Sequence, residues 1–180
     1  MGLVFETVRP PVENEQSYIE RADLPGSLRR LATRKARSVS ESNRDALVLG
    51  TDTVVIVDGE VLGKPLDDSE ARRMLRRLSG RVHTVRSGIS LVCEECEFIA
   101  STDVATTVRF RHLDAEEIED YVKSGEHRDK AGAYGIQGRA LVFVAGIQGC
   151  YYNVVGLPVA ATINLFEQYC SVAGATEDTQ

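Results

Sequence analysis

Hydrophobic positions recur with two periods along the chain, and each switch between them marks an element. Residues 3–8 form a short strand-like run that Pro10-Pro11 interrupts. From Ser27 to Ser40, Leu28, Leu31, Ala32 and Val39 fall on one helical stripe, with Pro25-Gly26 ahead of it. The β-branched and apolar run Ala46 to Val57 predicts a central strand, and Asp58-Gly59 turns it back into Glu60-Val61-Leu62. Asp67 and Glu70 predict a capping box for a helix ending near Ser79-Gly80. Long β runs follow at about 82–92 and 97–111, then a helix from Asp114 to about Lys123 with Ser124-Gly125 at its end. Asp129 to Arg139 reads as a glycine-bearing loop. Short strands are expected at 141–147 and 151–155, and a final helix follows Gly156-Leu157-Pro158 to about Cys170. Residues 171–180 read as a flexible tail. Intermixed strands and helices without internal repeats imply one α/β domain over residues 1–170.

Charges that break this pattern carry the chemistry. In the first helix Arg29, Arg30, Arg34 and Arg37 point away from the apolar stripe, whereas Lys35 projects between Leu28 and Leu31. A buried ammonium costs several kcal/mol unless it meets a carboxylate or a bound anion; the other reading is a snorkelling side chain at the stripe's edge. Asp52 sits inside the apolar run Leu47 to Val57, where a carboxylate needs a metal, a lysine or several donors, unless it belongs to a hydrogen-bonded turn. Gly50 beside it leaves room for close approach, which a ligand could use. Lys64 in Gly-Lys-Pro and Lys130 in Asp-Lys-Ala-Gly lie in rigid loops that hold an amine at low entropic cost. In the second helix Arg72, Arg73, Arg76 and Arg77 lie off the stripe of Ala71, Met74, Leu75 and Leu78 and read as wet surface.

Composition narrows the partners. The 180 residues are 43% hydrophobic and 27% charged, enough for a packed core, and the net charge of −6 disfavours broad binding to nucleic acid or anionic membranes. No segment approaches the roughly 18 apolar residues of a membrane span, and the first residues resemble neither a secretion signal nor a myristoylation signal. A cytoplasmic setting follows by default. Cys93-Glu94-Glu95-Cys96 has metal-ligand and redox-motif spacing, but no second such pair completes a zinc site, so a plain hairpin turn is the favoured reading. His83, His112 and His127 are scattered and read as structural.

Six segments appear in a telling order: Leu31-Ala32-x-x-Lys35-Ala36, Thr51-Asp52-Thr53-Val54-Val55, Gly63-Lys64-Pro65, Leu78-Ser79-Gly80-Arg81-x-His83-x-Val85, Asp129-Lys130-Ala131-Gly132-Ala133-Tyr134-Gly135-Ile136-Gln137-Gly138, and Asn153-Val154-Val155-Gly156-Leu157-Pro158. The set resembles the Maf (septum-formation) family of nucleoside triphosphate pyrophosphatases over about Phe5 to Cys170. The resemblance implies an α/β domain with an elongated mixed sheet and a cleft between two lobes, related to inosine triphosphate pyrophosphatases. It implies Asp52 as catalytic acid residue and proton acceptor near a divalent metal, Mg²⁺ or Mn²⁺. Lys35 and Lys64 match phosphate-contacting lysines, with Lys130 a further candidate. Thr53 and Gln137 match positions tied to base preference. Asp-Thr together with Ile-Gln-Gly looks like the dTTP/UTP branch rather than the branch acting on methylated GTP.

The resemblance departs at the start. Family members begin with a strand and Leu-Ala-Ser-x-Ser-Pro-Arg-Arg before the segment matching Phe5, and those Ser and Arg side chains contact phosphate there. Val12-Glu13-Asn14-Glu15 stands where Asp-Glu is usual, and Glu13 is the metal-side candidate. The expected reaction is attack at the α-phosphorus of a nucleoside triphosphate, releasing monophosphate and pyrophosphate. A homodimer is compatible with the family; nucleic acid and membrane are not expected as partners. The alternative is a Maf-like protein that binds or senses nucleotide without turning it over.

Overall fold

The computed structural model describes residues 4–13 and 15–177, without side chains for 175–177. Five strands make one sheet in the order β2-β1-β3-β4-β5: β1 (Val48–Val57), β2 (Glu60–Leu62), β3 (Val82–Cys93), β4 (Phe98–Phe110) and β5 (Val144–Gln148). Among the described residues every pairing is antiparallel, where a mixed sheet was expected. The reason lies in the connections: tight turns join β1 to β2 and β3 to β4, and such turns can only join antiparallel neighbours. Among the described residues no strand returns beside its predecessor in the same direction.

The helices are α1 (Leu24–Ser40), α2 (Asp68–Leu78), α3 (Ala115–Ser124), α4 (Tyr151–Val155) and α5 (Val159–Glu177). α1 begins earlier than its apolar stripe suggests, because Pro25 fits the first turn and Asp23 caps it by accepting from the Gly26 amide at 3.0 Å. The capping box expected for α2 is half formed: Asp67 accepts from the Glu70 amide, but Glu70 accepts from Leu66. The complete box belongs to α3, between Asp114 and Glu117, and Gly125 closes that helix at φ 76°. Arg72 and Arg77 are more than wet surface, since they pair with Glu119 of α3 and Glu60 of β2.

Three expectations fail. Residues 4–8 form no strand, and Val4 and Phe5 are exposed; residue 3 lies outside the described residues. Residues 151–155 are helical, because buried Asn153 turns inward and donates to Val85 O and Thr106 Oγ1, each at 3.0 Å. α5 continues past Cys170 to Glu177, while 178–180 of the expected tail lie outside the described residues.

Strand alternation divides the sheet into two faces. α1 covers the face bearing Gly50, Asp52 and Val54 of β1. On the opposite face two apolar clusters stand apart. One gathers Val55, Val85, Val108 and Phe110 under α2 and α3; the other gathers Ile89, Leu91, Cys93 and Phe98 under Leu165 of α5. Between them β1 and β3 present Thr51, Thr53 and Ser87. That polar interval is the floor of a cleft between two lobes.

Candidate active site

Two glycines bring α1 onto the sheet. A Cβ on Gly50 would lie 2.3 Å from Ala32 O, and one on Gly88 would lie 2.4 Å from the Leu28 carbonyl carbon. The room beside Gly50 is therefore filled by helix backbone rather than by a ligand. Ala32 and Ala36 rest on this contact, and one turn of helix between them aims Lys35 at β1.

Lys35 Nζ donates to Asp52 Oδ1 at 2.6 Å and to Glu15 Oε1 at 2.8 Å. Its side chain and that of Asp52 are each only 11% exposed, so Lys35 meets carboxylates rather than snorkelling out. Burial pushes the Asp52 carboxyl above the ordinary aspartate value, and the opposing pull of Lys35 does not cancel it. For Lys35, burial works to lower the ammonium pKa, but Asp52 and Glu15 outweigh it and the net shift is upward. An ammonium has three N–H donors, which leaves one for a further acceptor. Glu15 enters from a 3₁₀ turn, Glu15–Tyr18, ahead of α1. Glu13, the sequence candidate for this side, is exposed, and neither it nor Glu15 lines the cavity itself.

The β2 strand pairs only with Val55–Val57, so among the described residues the β1 edge from 48 to 54 has no strand neighbour on that side. A cavity of about 760 Å³ opens there and brings together Lys35, Asp52, Thr53, Lys64, Lys130 and Gln137. The Gly132 amide donates to Gly63 O at 2.9 Å and ties the loop of Lys130 to the loop of Lys64. Asp129 and Ala133 hold left-handed backbone at φ 59° and 62°, a strain concentrated beside the cleft. Tyr121 Oη receives the Gly135 amide, and Glu126 receives the Arg139 amide at 2.7 Å, so both ends of the Ile136-Gln137-Gly138 segment are pinned. On the floor, Thr53 Oγ1 and Ser87 Oγ share a hydrogen bond of 2.7 Å, and Thr51 donates to Gly156 O.

Among the described residues no ion pair engages Lys64, Lys130 or Arg128, although all three line the cavity. Glu15 and Arg128 were not singled out by sequence reasoning. The signal for Glu15 was the acidic run at 13–15; nothing marked Arg128 among its neighbours. Lys64, Lys130 and Arg128 line the same cavity as Asp52. Among the described residues, no group of three or more His, Cys, Asp or Glu gathers as a metal site, and no helix is long and apolar enough to cross a membrane.

Fold and site thus define an α/β protein whose cleft joins a largely buried aspartate to several cationic side chains. Comparison with known proteins narrows the class: the Maf-like protein family matches residues 1–169, and the chain belongs to that family. It is 51% identical over 170 residues to a dTTP/UTP pyrophosphatase of Symbiobacterium thermophilum, covering 94% of this chain and 85% of the relative. A dTTP/UTP pyrophosphatase of Dictyoglomus thermophilum is 41% identical over 168 residues, covering 93% and 86%. One from Bacillus cereus strain B4264 is 43% identical over 171 residues, covering 93% and 86%.

Proposed function

We propose that the chain is a nucleoside triphosphate pyrophosphatase that hydrolyses dTTP and UTP to the monophosphate and pyrophosphate. The observation that carries this reading is the Asp52–Lys35–Glu15 cluster, whose Asp52 and Lys35 line a cleft with Lys64, Lys130 and Arg128, three cations without an ion pair among the described residues. The names of the relatives support the substrate pair. Lys64, Lys130 and Arg128 receive the phosphate chain, and the third N–H of Lys35 is free to join them. Thr53 and Gln137 lie where the base enters, with Thr53 held by Ser87.

Asp52 accepts the proton of the attacking water at Oδ2, the oxygen Lys35 does not occupy. Its raised pKa makes it a better base than a surface aspartate. Attack at the α-phosphorus then releases pyrophosphate, whose charge stays with the lysines. The donor set fits a divalent cation: Asp52 and Glu15 meet at one ammonium, and Mg²⁺ is commonly held by one or two carboxylates together with substrate phosphates. Such an ion, held there, would neutralise phosphate charge and make bound water more acidic. Glu15 replaces Glu13 as the second carboxylate in this proposal. A cytoplasmic setting is part of it, supported by four cysteines free of disulfides. A homodimer is also part of it, supported by the exposed apolar residues Tyr152, Val155, Val159 and Ile163 on α4 and α5.

The test is UTP or dTTP with Mg²⁺ or Mn²⁺ in water enriched in heavy oxygen. Equal yields of monophosphate and pyrophosphate, with the label in the monophosphate, are expected. Label in pyrophosphate, release of single phosphate, or binding without turnover would overturn the proposal.

A further inference from the structure

The β3–β4 turn carries a feature unrelated to the cleft. Residues 94–97 connect Cys93 to Phe98, which face each other in the ladder, and Glu97 takes the left-handed conformation at φ 50° that lets the chain reverse. The turn is anchored from outside by the Glu95 amide, which donates to Arg44 O at 3.0 Å. Within it the Cys96 amide donates to Cys93 Sγ at 3.3 Å. The two thiols therefore lie in one tight turn, three positions apart, where the reversal keeps their α-carbons within the span a disulfide can bridge.

Their surroundings differ. Cys93 is 2% exposed, packed with Ile89, Leu91, Phe98 and Leu165, whereas Cys96 is exposed. Cys96 Sγ also lies 3.4 Å from Tyr169 Oη on α5, and Tyr169 stacks edge-on against Phe98 at 5.2 Å. An accessible thiol beside a buried one, with an amide aimed at the buried sulfur, is the arrangement of an attacking and a resolving cysteine.

We infer that Cys93 and Cys96 form a reversible dithiol–disulfide site that exchanges with small disulfides such as oxidised glutathione. The Cys96 thiolate attacks one sulfur of the small disulfide; a Cys96–S–S–R bond forms and one thiolate leaves, taking a proton from water. Cys93 then loses its proton to solvent and attacks Cys96 Sγ, and the second small thiolate leaves. The dithiol is oxidised by two electrons, and the small disulfide is reduced to two thiols. The Cys96 amide steadies the Cys93 thiolate during the second step. Burial pushes the Cys93 thiol up. Neither thiol touches the cleft, and the site does not depend on the proposed hydrolase activity.

The test treats the full chain with oxidised glutathione, blocks remaining thiols under denaturing conditions, and maps each cysteine by peptide mass. A Cys93–Cys96 bond that dithiothreitol reverses is expected, with Cys150 and Cys170 still alkylated. Cys93→Ala should instead retain glutathione on Cys96, since nothing resolves it. If that variant does not fold, the wild-type map decides alone. A lasting glutathione adduct on wild-type Cys96, a Cys96–Cys170 bond, a bond between chains, or no reaction would overturn the inference.

Discussion

Asp52 draws its behaviour from three neighbours of known sign. Burial and Glu15 raise its pKa, whereas Lys35 and Lys64 lower it. A base must be ionised to act, so the acid limb of kcat/KM is expected above the ordinary aspartate value. Lys35→Met removes a lowering charge and should move that limb to higher pH. Glu15→Gln removes a raising charge and should move it to lower pH. Rate profiles between pH 4 and 8 check both signs at once, and shifts in the same direction would contradict this picture. Lys35 and Asp52 were legible because each charge sits on an apolar face, one by helical projection and one inside a strand. Their separation of 2.6 Å was not legible, since it depends on how α1 crosses β1. Glu15 escaped notice because neither period reaches into the irregular stretch before α1, where Glu13 stands equally ready.

At the level of elements, the contact between α1 and the sheet positions the lysine. Gly50→Ala places a methyl group 2.3 Å from Ala32 O, backbone that cannot swing aside. A destabilisation of about 1–3 kcal/mol is expected by urea denaturation. Loss of turnover should accompany it as Lys35 is lifted from Asp52. Asn153→Ala should also cost about 1–3 kcal/mol, because Val85 O is left buried without its donor. This asparagine explains why 151–155 misled the pattern: Tyr, Val and Val favour strands, but a tertiary bond chose a helical turn. β1, β3 and β4 were readable because long alternating runs dominate their windows. Whether the sheet was mixed was not readable, since strand direction follows from connections rather than from residue periodicity.

Across the whole molecule, the cleft exists because the two apolar clusters on one sheet face leave a polar interval between them. The cluster under α2 and α3 also buries His83, whose Nε2 shares a 2.8 Å hydrogen bond with Tyr134 Oη. Burial lowers the His83 pKa from 6.5 to about 4. The unfolded chain takes up this proton below pH 6.5 and the folded chain only near 4, so stability present above 6.5 is lost as pH falls through that window. At about 1.4 kcal/mol per pH unit, roughly 2 kcal/mol is lost by pH 5. Urea midpoints at pH 7 and pH 5 should show this loss in the wild type and a smaller one in His83→Leu. The apolar residues of both clusters were legible one by one; the gap between them needed the register of β1 against β3.

In the proposed mechanism Asp52 takes the proton while the surrounding cations hold the phosphates. Asp52→Asn keeps the shape of the side chain and removes the base. With UTP at saturation, kcat is expected to fall by about 10²–10⁴, and UTP affinity measured separately should change only a few-fold. Turnover by Asp52→Asn at the wild-type rate would contradict the claim outright.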